Sequence, residues 1–210
     1  MGTDKMKYTI IAGAPNQDPN FLKKAIDPDS YIIAADSGYI YSKSAGFEPD
    51  LIIGDFDSSD MPVCDAEILR LPHEKDDTDT FYCMKEAVKR GADEVEIFCA
   101  LGGRADHTLS NIFNLEYLLR NHVRASIISD KCVLTLHKKS FEIHKGKYAY
   151  FSLFALGGDV TGLSIKGAAY KLSDFTLSSF SSIGQSNEFK NDTVKITFDS
   201  GCILLILSND

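Results

Sequence analysis

Two acidic clusters, about twenty residues apart, hold the densest chemistry in this chain: Gly54-Asp55-Phe56-Asp57-Ser58 and Lys75-Asp76-Asp77-Thr78-Asp79. Asp55 and Asp57 are one residue apart, so in extended backbone both side chains leave the same side and can converge on one hard cation through oxygen. The innocent alternative is a solvated turn, since Gly-Asp and Asp-Ser are ordinary turn dipeptides. An EF-hand does not fit, because the sixth position from Asp55 is Asp60 rather than glycine and the twelfth is Ala66 rather than glutamate. The second cluster sits where a helix is expected to begin, so its carboxylates have a capping alternative. One helix start needs one cap, however, and Asp76 and Asp79 exceed it. Lys75 beside them offers a cation for phosphate oxygens.

Gly102-Gly103-Arg104-Ala105-Asp106-His107 follows an apolar run and opens a second helix. Paired glycines let backbone N–H groups approach an anion at a helix N-terminus, and Arg104 adds a two-pronged donor. A tight turn capped by Asp106 would need the same letters. His107 has two readings, a general base or a hydrogen-bonding strut. Asp36-Ser37-Gly38 ends another apolar run in the same manner. Three acid-bearing loops at strand ends of a parallel sheet would share one edge, where such sheets bind ligands.

Other chemistries find no support. Ala168 stands where a Walker A loop starting at Gly162 needs lysine, and Gly13 is followed by Ala14-Pro15-Asn16 rather than a dinucleotide fingerprint. Neither H-E-x-x-H nor G-x-S-x-G occurs. His73, His122, His137 and His144 lack metal spacing and read as surface residues.

The elements that must position these residues change character along the chain. Residues 8–12, 31–35, 51–53, 95–100 and 125–129 read as buried strands, alternating with helical segments. Thr78 is the expected N-cap of the clearest helix, with Phe81, Met84 and Val88 at helical spacing and Gly91 as its stop. A helix after Asp106 should bury Leu109, Ile112, Phe113 and Leu119. Beyond residue 130 only short strands follow, at 132–137, 148–154, 194–198 and 203–207. The expectation is an α/β, three-layer parallel-sheet domain over residues 1–129 and an all-β sandwich or barrel over 130–210.

Composition narrows the partners. The 210 residues carry 22 Lys and Arg against 30 Asp and Glu, a formal net charge of -8, which disfavours nucleic acid as main partner. The five scattered cysteines include no C-x-x-C pair, so neither a disulfide framework nor zinc is predicted. No apolar stretch reaches the ~20 residues of a membrane span. The opening residues lack a secretory pattern, and a cytoplasmic protein is expected.

In their order, Asp36-Ser37-Gly38, Pro49-Asp50-Leu51-Ile52-Ile53-Gly54-Asp55-Phe56-Asp57-Ser58, Lys75-Asp76-Asp77-Thr78-Asp79 and Gly103-Arg104-Ala105-Asp106-His107 with Asn111 resemble the signature of the thiamine pyrophosphokinase family. The resemblance continues through Gly162-Leu163, Gly167, Tyr170 and Gly184-Gln185-Ser186-Asn187-Glu188-Phe189. It implies Mg²⁺-dependent transfer of pyrophosphoryl from ATP to the hydroxyl of thiamine, releasing AMP, by a homodimer with thiamine where the subunits meet. Carried over by position, Asp55, Asp57 and Asp79 would hold Mg²⁺ and act in catalysis with Arg104 and Asp106. Asp36, Lys75, Asp76, Thr78, Gly102, Gly103, Arg104, His107 and Asn111 would contact the nucleotide. Ser186 and Asn187 would meet thiamine, whose cationic ring needs an aromatic partner; without tryptophan, Tyr170, Phe180 and Phe189 are the candidates.

Three competitors have distinguishing features. A nucleotide-sugar transferase also uses D-x-D but should lack the second acidic cluster and the Gly-Gly-Arg loop. A pterin pyrophosphokinase would differ in the β domain, where Ser186-Asn187-Glu188 favours thiamine. A non-catalytic nucleotide or metal sensor on the same scaffold does not need its acids intact.

Overall fold

A computed structural model describes residues 6–56 and 64–209. The chain divides into two compact units, Met1–Asp130 and Lys131–Asp210.

The first unit runs β1 (Lys7–Ile11), α1 (Pro19–Ala25), β2 (Tyr31–Ala35), α2 (Gly38–Ser44), β3 (Leu51–Gly54), β4 (Glu67–Arg70), α3 (Asp79–Lys89), β5 (Glu94–Phe98), α4 (Ala105–Arg120) and β6 (Arg124–Ile128). Its strands are all parallel, in the order β6-β5-β1-β2-β3-β4. Strands β2 and β3 are apolar almost end to end, and every residue of β3 is buried, as expected where helices cover both faces. Ile11 joins Leu22 of α1 and Ala45 next to α2 in one cluster, while Tyr8, at the opposite parity of β1, donates its hydroxyl proton to the Arg90 carbonyl at the end of α3. Strand order reverses between β1 and β5, and the two strand ends are tied by Ala12 N–H to the Phe98 carbonyl and Ala14 N–H to the Cys99 carbonyl, both 2.9 Å. Such a switch point opens a crevice at the carboxyl edge.

Thr78 caps α3, its hydroxyl accepting the Phe81 N–H, and Gly91 follows the C-cap Arg90 at φ +87°. The predicted burial of α4 is corrected: Asn111, Leu115 and Leu118 form its buried seam, whereas Leu109 and Phe113 are half exposed. Ile112 and Leu119 flank that seam and are partly buried, so the expected face is offset from the buried one by little more than one residue.

The second unit contains β7 (Cys132–His137), β8 (Phe141–His144), β9 (Tyr150–Ala155), β10 (Val160–Lys166), β11 (Leu172–Leu177), β12 (Asn187–Glu188), β13 (Thr193–Thr197) and β14 (Ile203–Ser208). Antiparallel β12-β9-β14-β7 and β11-β10-β13-β8 are its two sheets, a sandwich. Alternation builds its core: Val194 and Ile196 of β13, Leu163 and Ile165 of β10, Phe151 and Leu153 of β9, and Ile203 and Leu205 of β14 are all buried. His137 is not the surface residue expected. Its ring stacks on Phe141 at 3.8 Å between centroids, with Nε2 2.8 Å from Thr135 Oγ1, and burial pushes its pKa down to about 4.

Candidate active site

The loops after β1, β2, β3, β4 and β5 enclose a cavity of about 500 Å³ at the carboxyl edge of the parallel sheet. Asp36, Asp55, Lys75, Thr78, Asp79, Gly102, Arg104, His107 and Asn111 line it, so most of the predicted nucleotide and metal residues come together in one place. Asp57 lies outside the described residues. Asp76, Gly103 and Asp106 are near by in sequence but do not line the cavity.

Asp55 follows β3, and Asp79 opens α3. Both reach the Lys75 ammonium, Asp55 Oδ2 at 2.5 Å and Asp79 Oδ1 at 2.8 Å. Burial alone would lower the Lys75 pKa, but its bonds to Asp55 and Asp79 outweigh that and hold it above the usual lysine value. Asp77 turns away to pair with Lys85 at 2.5 Å. Capping therefore belongs to Thr78, and the acids around it have separate jobs.

A hard cation suits this corner. Asp79 Oδ1 is buried, and the Lys75 ammonium 2.8 Å away engages only part of its lone-pair capacity. An anionic oxygen left this way has lone pairs for a metal, and carboxylate oxygen is the donor that Mg²⁺ prefers. Among the described residues no group of three acidic, His or Cys side chains is set to hold a metal, and Asp57, expected as a ligand, lies outside them.

The Gly-Gly-Arg loop is more internally bonded than its letters indicate. Gly102 N–H donates to Thr108 Oγ1 at 3.2 Å, and Gly103, at φ +66°, leaves room for Pro15, whose Cδ a β-carbon would approach to 2.6 Å. Arg104 grips the Asp106 carboxylate with two prongs, Nε to Oδ1 at 3.1 Å and Nη2 to Oδ2 at 2.6 Å. That bond raises the Arg104 pKa and lowers that of Asp106. Arg104 is the N-cap residue of α4 without a side-chain capping bond, the His107 N–H donates to Asp106 Oδ1 at 3.0 Å, and Arg104 and His107 of this helix start line the cavity. Asn111 is buried and donates to the Ala100 carbonyl at 2.9 Å, which ties α4 to the end of β5.

Gly13, Ala14 and Pro15 also line the cavity, as do Ser37, Thr80, Cys99 and Ala100. The Gly13 loop lacks a dinucleotide fingerprint yet borders the cavity. A glycine directly after a buried strand was the available signal.

In the sandwich, Ser186 and Asn187 line a second cavity of about 380 Å³ with Ile165, Tyr170, Leu172 and Ile183. Gly184 is required there, since a β-carbon would lie 2.2 Å from the Leu153 carbonyl oxygen. The Asn187 carboxamide is engaged with Tyr170, accepting its N–H at 3.0 Å and donating to its carbonyl at 2.7 Å. Ser186, at φ +55°, donates its N–H to Ser152 Oγ. Of the three candidate aromatics, Phe189 packs edge-on against Phe151 in the core, and Phe180 is 99 % exposed away from the cavity lining. Tyr170 alone of the three lines the cavity, two-thirds exposed.

Residues 22–127 match the thiamin pyrophosphokinase catalytic domain, and residues 138–203 match the thiamin pyrophosphokinase vitamin B1 binding domain. Thiamine pyrophosphokinase of Bacillus subtilis (strain 168) is 27 % identical over 96 % of this chain and 98 % of its own. Thiamine pyrophosphokinase 1 of Oryza sativa subsp. japonica is 32 % identical over 76 % of this chain and 66 % of its own. A crystal structure of the Bacillus subtilis thiamine pyrophosphokinase superposes with a TM-score of 0.87 at 25 % identity, covering 97 % of this chain and 99 % of the other. With both domain matches in order and the acid-lined cavity inside the catalytic one, the chain belongs to the thiamin pyrophosphokinase family.

Proposed function

We propose that the chain joins ATP and thiamine at the acid-lined cavity, transferring the pyrophosphoryl group of ATP to the hydroxyethyl oxygen of thiamine to give thiamine diphosphate and AMP. The observation that carries the residue assignment is the convergence of Asp55, Asp79 and Lys75 with the Arg104 loop around one cavity. Opposed groups of acid and base fit a polyphosphate bound with a divalent cation. In the reaction the thiamine oxygen bonds to the β-phosphorus while the bond from that phosphorus to the α-phosphate oxygen breaks, and the alcohol proton is released.

Asp55 and Asp79, with Asp57, would hold Mg²⁺. Bound there, the ion would neutralise phosphate charge and orient the triphosphate. Lys75 and Arg104 add positive charge from the chain itself, which is most effective when in place before reaction begins. Asp106 acts by orienting Arg104, as its two-pronged bond supports. Gly102 and His107 border the phosphates, and Asn111 keeps the start of α4 in place. Asp36 sits on the same rim. Asp76 is exposed and Gly103 faces Pro15, so both support the site from outside its lining. A carboxylate bound to metal is a weak base, so positioning contributes more than proton removal.

Thiamine would sit against Ser186 and Asn187 with Tyr170 beneath its ring; Asn187 shapes the wall through Tyr170 rather than with a free amide. A homodimer would give cover to exposed apolar side chains of the sandwich such as Tyr170, Phe180 and Ile183. Phe180→Ser should then shift the sedimenting species toward monomer; an unchanged dimer would move the interface elsewhere. A cytoplasmic location fits five cysteines with no disulfide among them. No helix among the described residues is long and apolar enough to cross a membrane.

The decisive assay supplies purified protein with ATP, Mg²⁺ and thiamine. Thiamine diphosphate and AMP should accumulate in equal amounts and only with Mg²⁺ present. Production of ADP with thiamine monophosphate would refute the pyrophosphoryl assignment.

A further inference from the structure

The Lys75 ammonium is placed where a divalent cation would need to be. It stands 2.5 Å from Asp55 Oδ2 and 2.8 Å from Asp79 Oδ1, and the three side chains are only 10, 12 and 22 % exposed. His73 Nδ1 lies 3.8 Å from the same Asp55 oxygen, but its side chain is 75 % exposed and adds little in solvent. The Lys75 charge is compact and its stem rotatable, so it can leave one anion for another without rebuilding the loop.

We propose that Lys75 is the resident counter-ion of the metal site: it competes with the divalent cation for Asp55 and Asp79, and moves to the nucleotide's phosphate oxygens when the cation enters. The inference rests on the reading that Asp55 and Asp79 hold the metal. Its consequence is a coupling. Metal alone must displace a paired ammonium and binds weakly, whereas metal arriving with a triphosphate gives that ammonium a new anionic partner. By reciprocity the nucleotide and the cation strengthen each other's binding through one side chain.

Binding of Mn²⁺ to the full chain, followed by electron paramagnetic resonance with and without a non-hydrolysable ATP analogue, tests this apart from turnover. Without nucleotide, Lys75→Met should bind Mn²⁺ at least about tenfold more tightly than the wild type, because a like charge has been removed from the site. The gain in Mn²⁺ affinity brought by the analogue should shrink in the same variant. In Lys75→Ala, added methylammonium should weaken Mn²⁺ binding while leaving the wild type unaffected, a competition that a merely structural lysine would not produce. Lys75→Gln offers the same comparison should the apolar variants fail to fold. Equal or weaker Mn²⁺ binding on loss of Lys75, with Asp79→Asn still weakening it, would overturn the inference and leave the metal reading standing. Unchanged binding in Asp79→Asn would overturn both.

Discussion

Arg104 and Asp106 are largely exposed, at 72 and 63 % of their side chains, so their attraction is screened and their value lies in geometry. A guanidinium held by two parallel bonds points its remaining N–H groups in one direction. Asp106→Asn should therefore raise KM for ATP by roughly three- to tenfold, with a smaller change in kcat and an unchanged circular dichroism spectrum. A loss of several hundredfold in kcat at constant KM would place Asp106 in the chemistry instead. At this scale the charged residues were legible because clustered carboxylates have few structural uses. Asn111 and Asn187 were legible as positions but not as roles, since their bonds to the Ala100 carbonyl and the Tyr170 backbone exist only after distant segments meet. Gly13 to Pro15 carry no charge, so only a glycine at the end of a buried strand points to the cavity they line.

Elements were readable in proportion to their burial. The five apolar strands of the first unit form within a residue or so of the expected spans, whereas β4, Glu67–Arg70, was missed because an edge strand with mostly exposed side chains shows no apolar run. The seven-residue helices α1 and α2 are too short to display a period. In the sandwich, β10 and β11 were hidden by polar residues and by the irregular register of their pairing. The segment after β11 depends on Gly184, whose carbonyl accepts the Leu153 N–H at 2.9 Å. Gly184→Ala would force its methyl against the Leu153 carbonyl, costing about 2 kcal/mol or more of stability. The expected readout is a clear drop in Tm together with a higher KM for thiamine and an unaltered KM for ATP. A variant with wild-type Tm and thiamine KM would show that the loop re-forms without this contact.

Across the whole molecule, one shifted group in each unit, Glu86 and His137, responds to acid in the same sense. Burial would raise the Glu86 pKa, but its bonds to Arg90 and Lys89 outweigh that and hold the carboxyl below its ordinary value. Its contribution is present above the unfolded pKa and lost as pH falls through the folded one. His137 acts earlier in the descent. Burial in the sandwich brings its pKa from 6.5 down to about 4, so between those values the unfolded chain binds a proton that the native one refuses. Stability then rises with pH in that window and declines on acidification from about pH 6.5 toward 4. Partial exposure limits the effect to at most about 2 kcal/mol between pH 7 and 4.5. His137→Gln, which does not titrate there, should flatten this part of the curve in urea unfolding while Glu86 and the other acids still act below it. Parallel wild-type and variant curves from pH 7 to 4.5 would mean that His137 protonates freely in the native sandwich, and that its stacking on Phe141 does not exclude water from the ring.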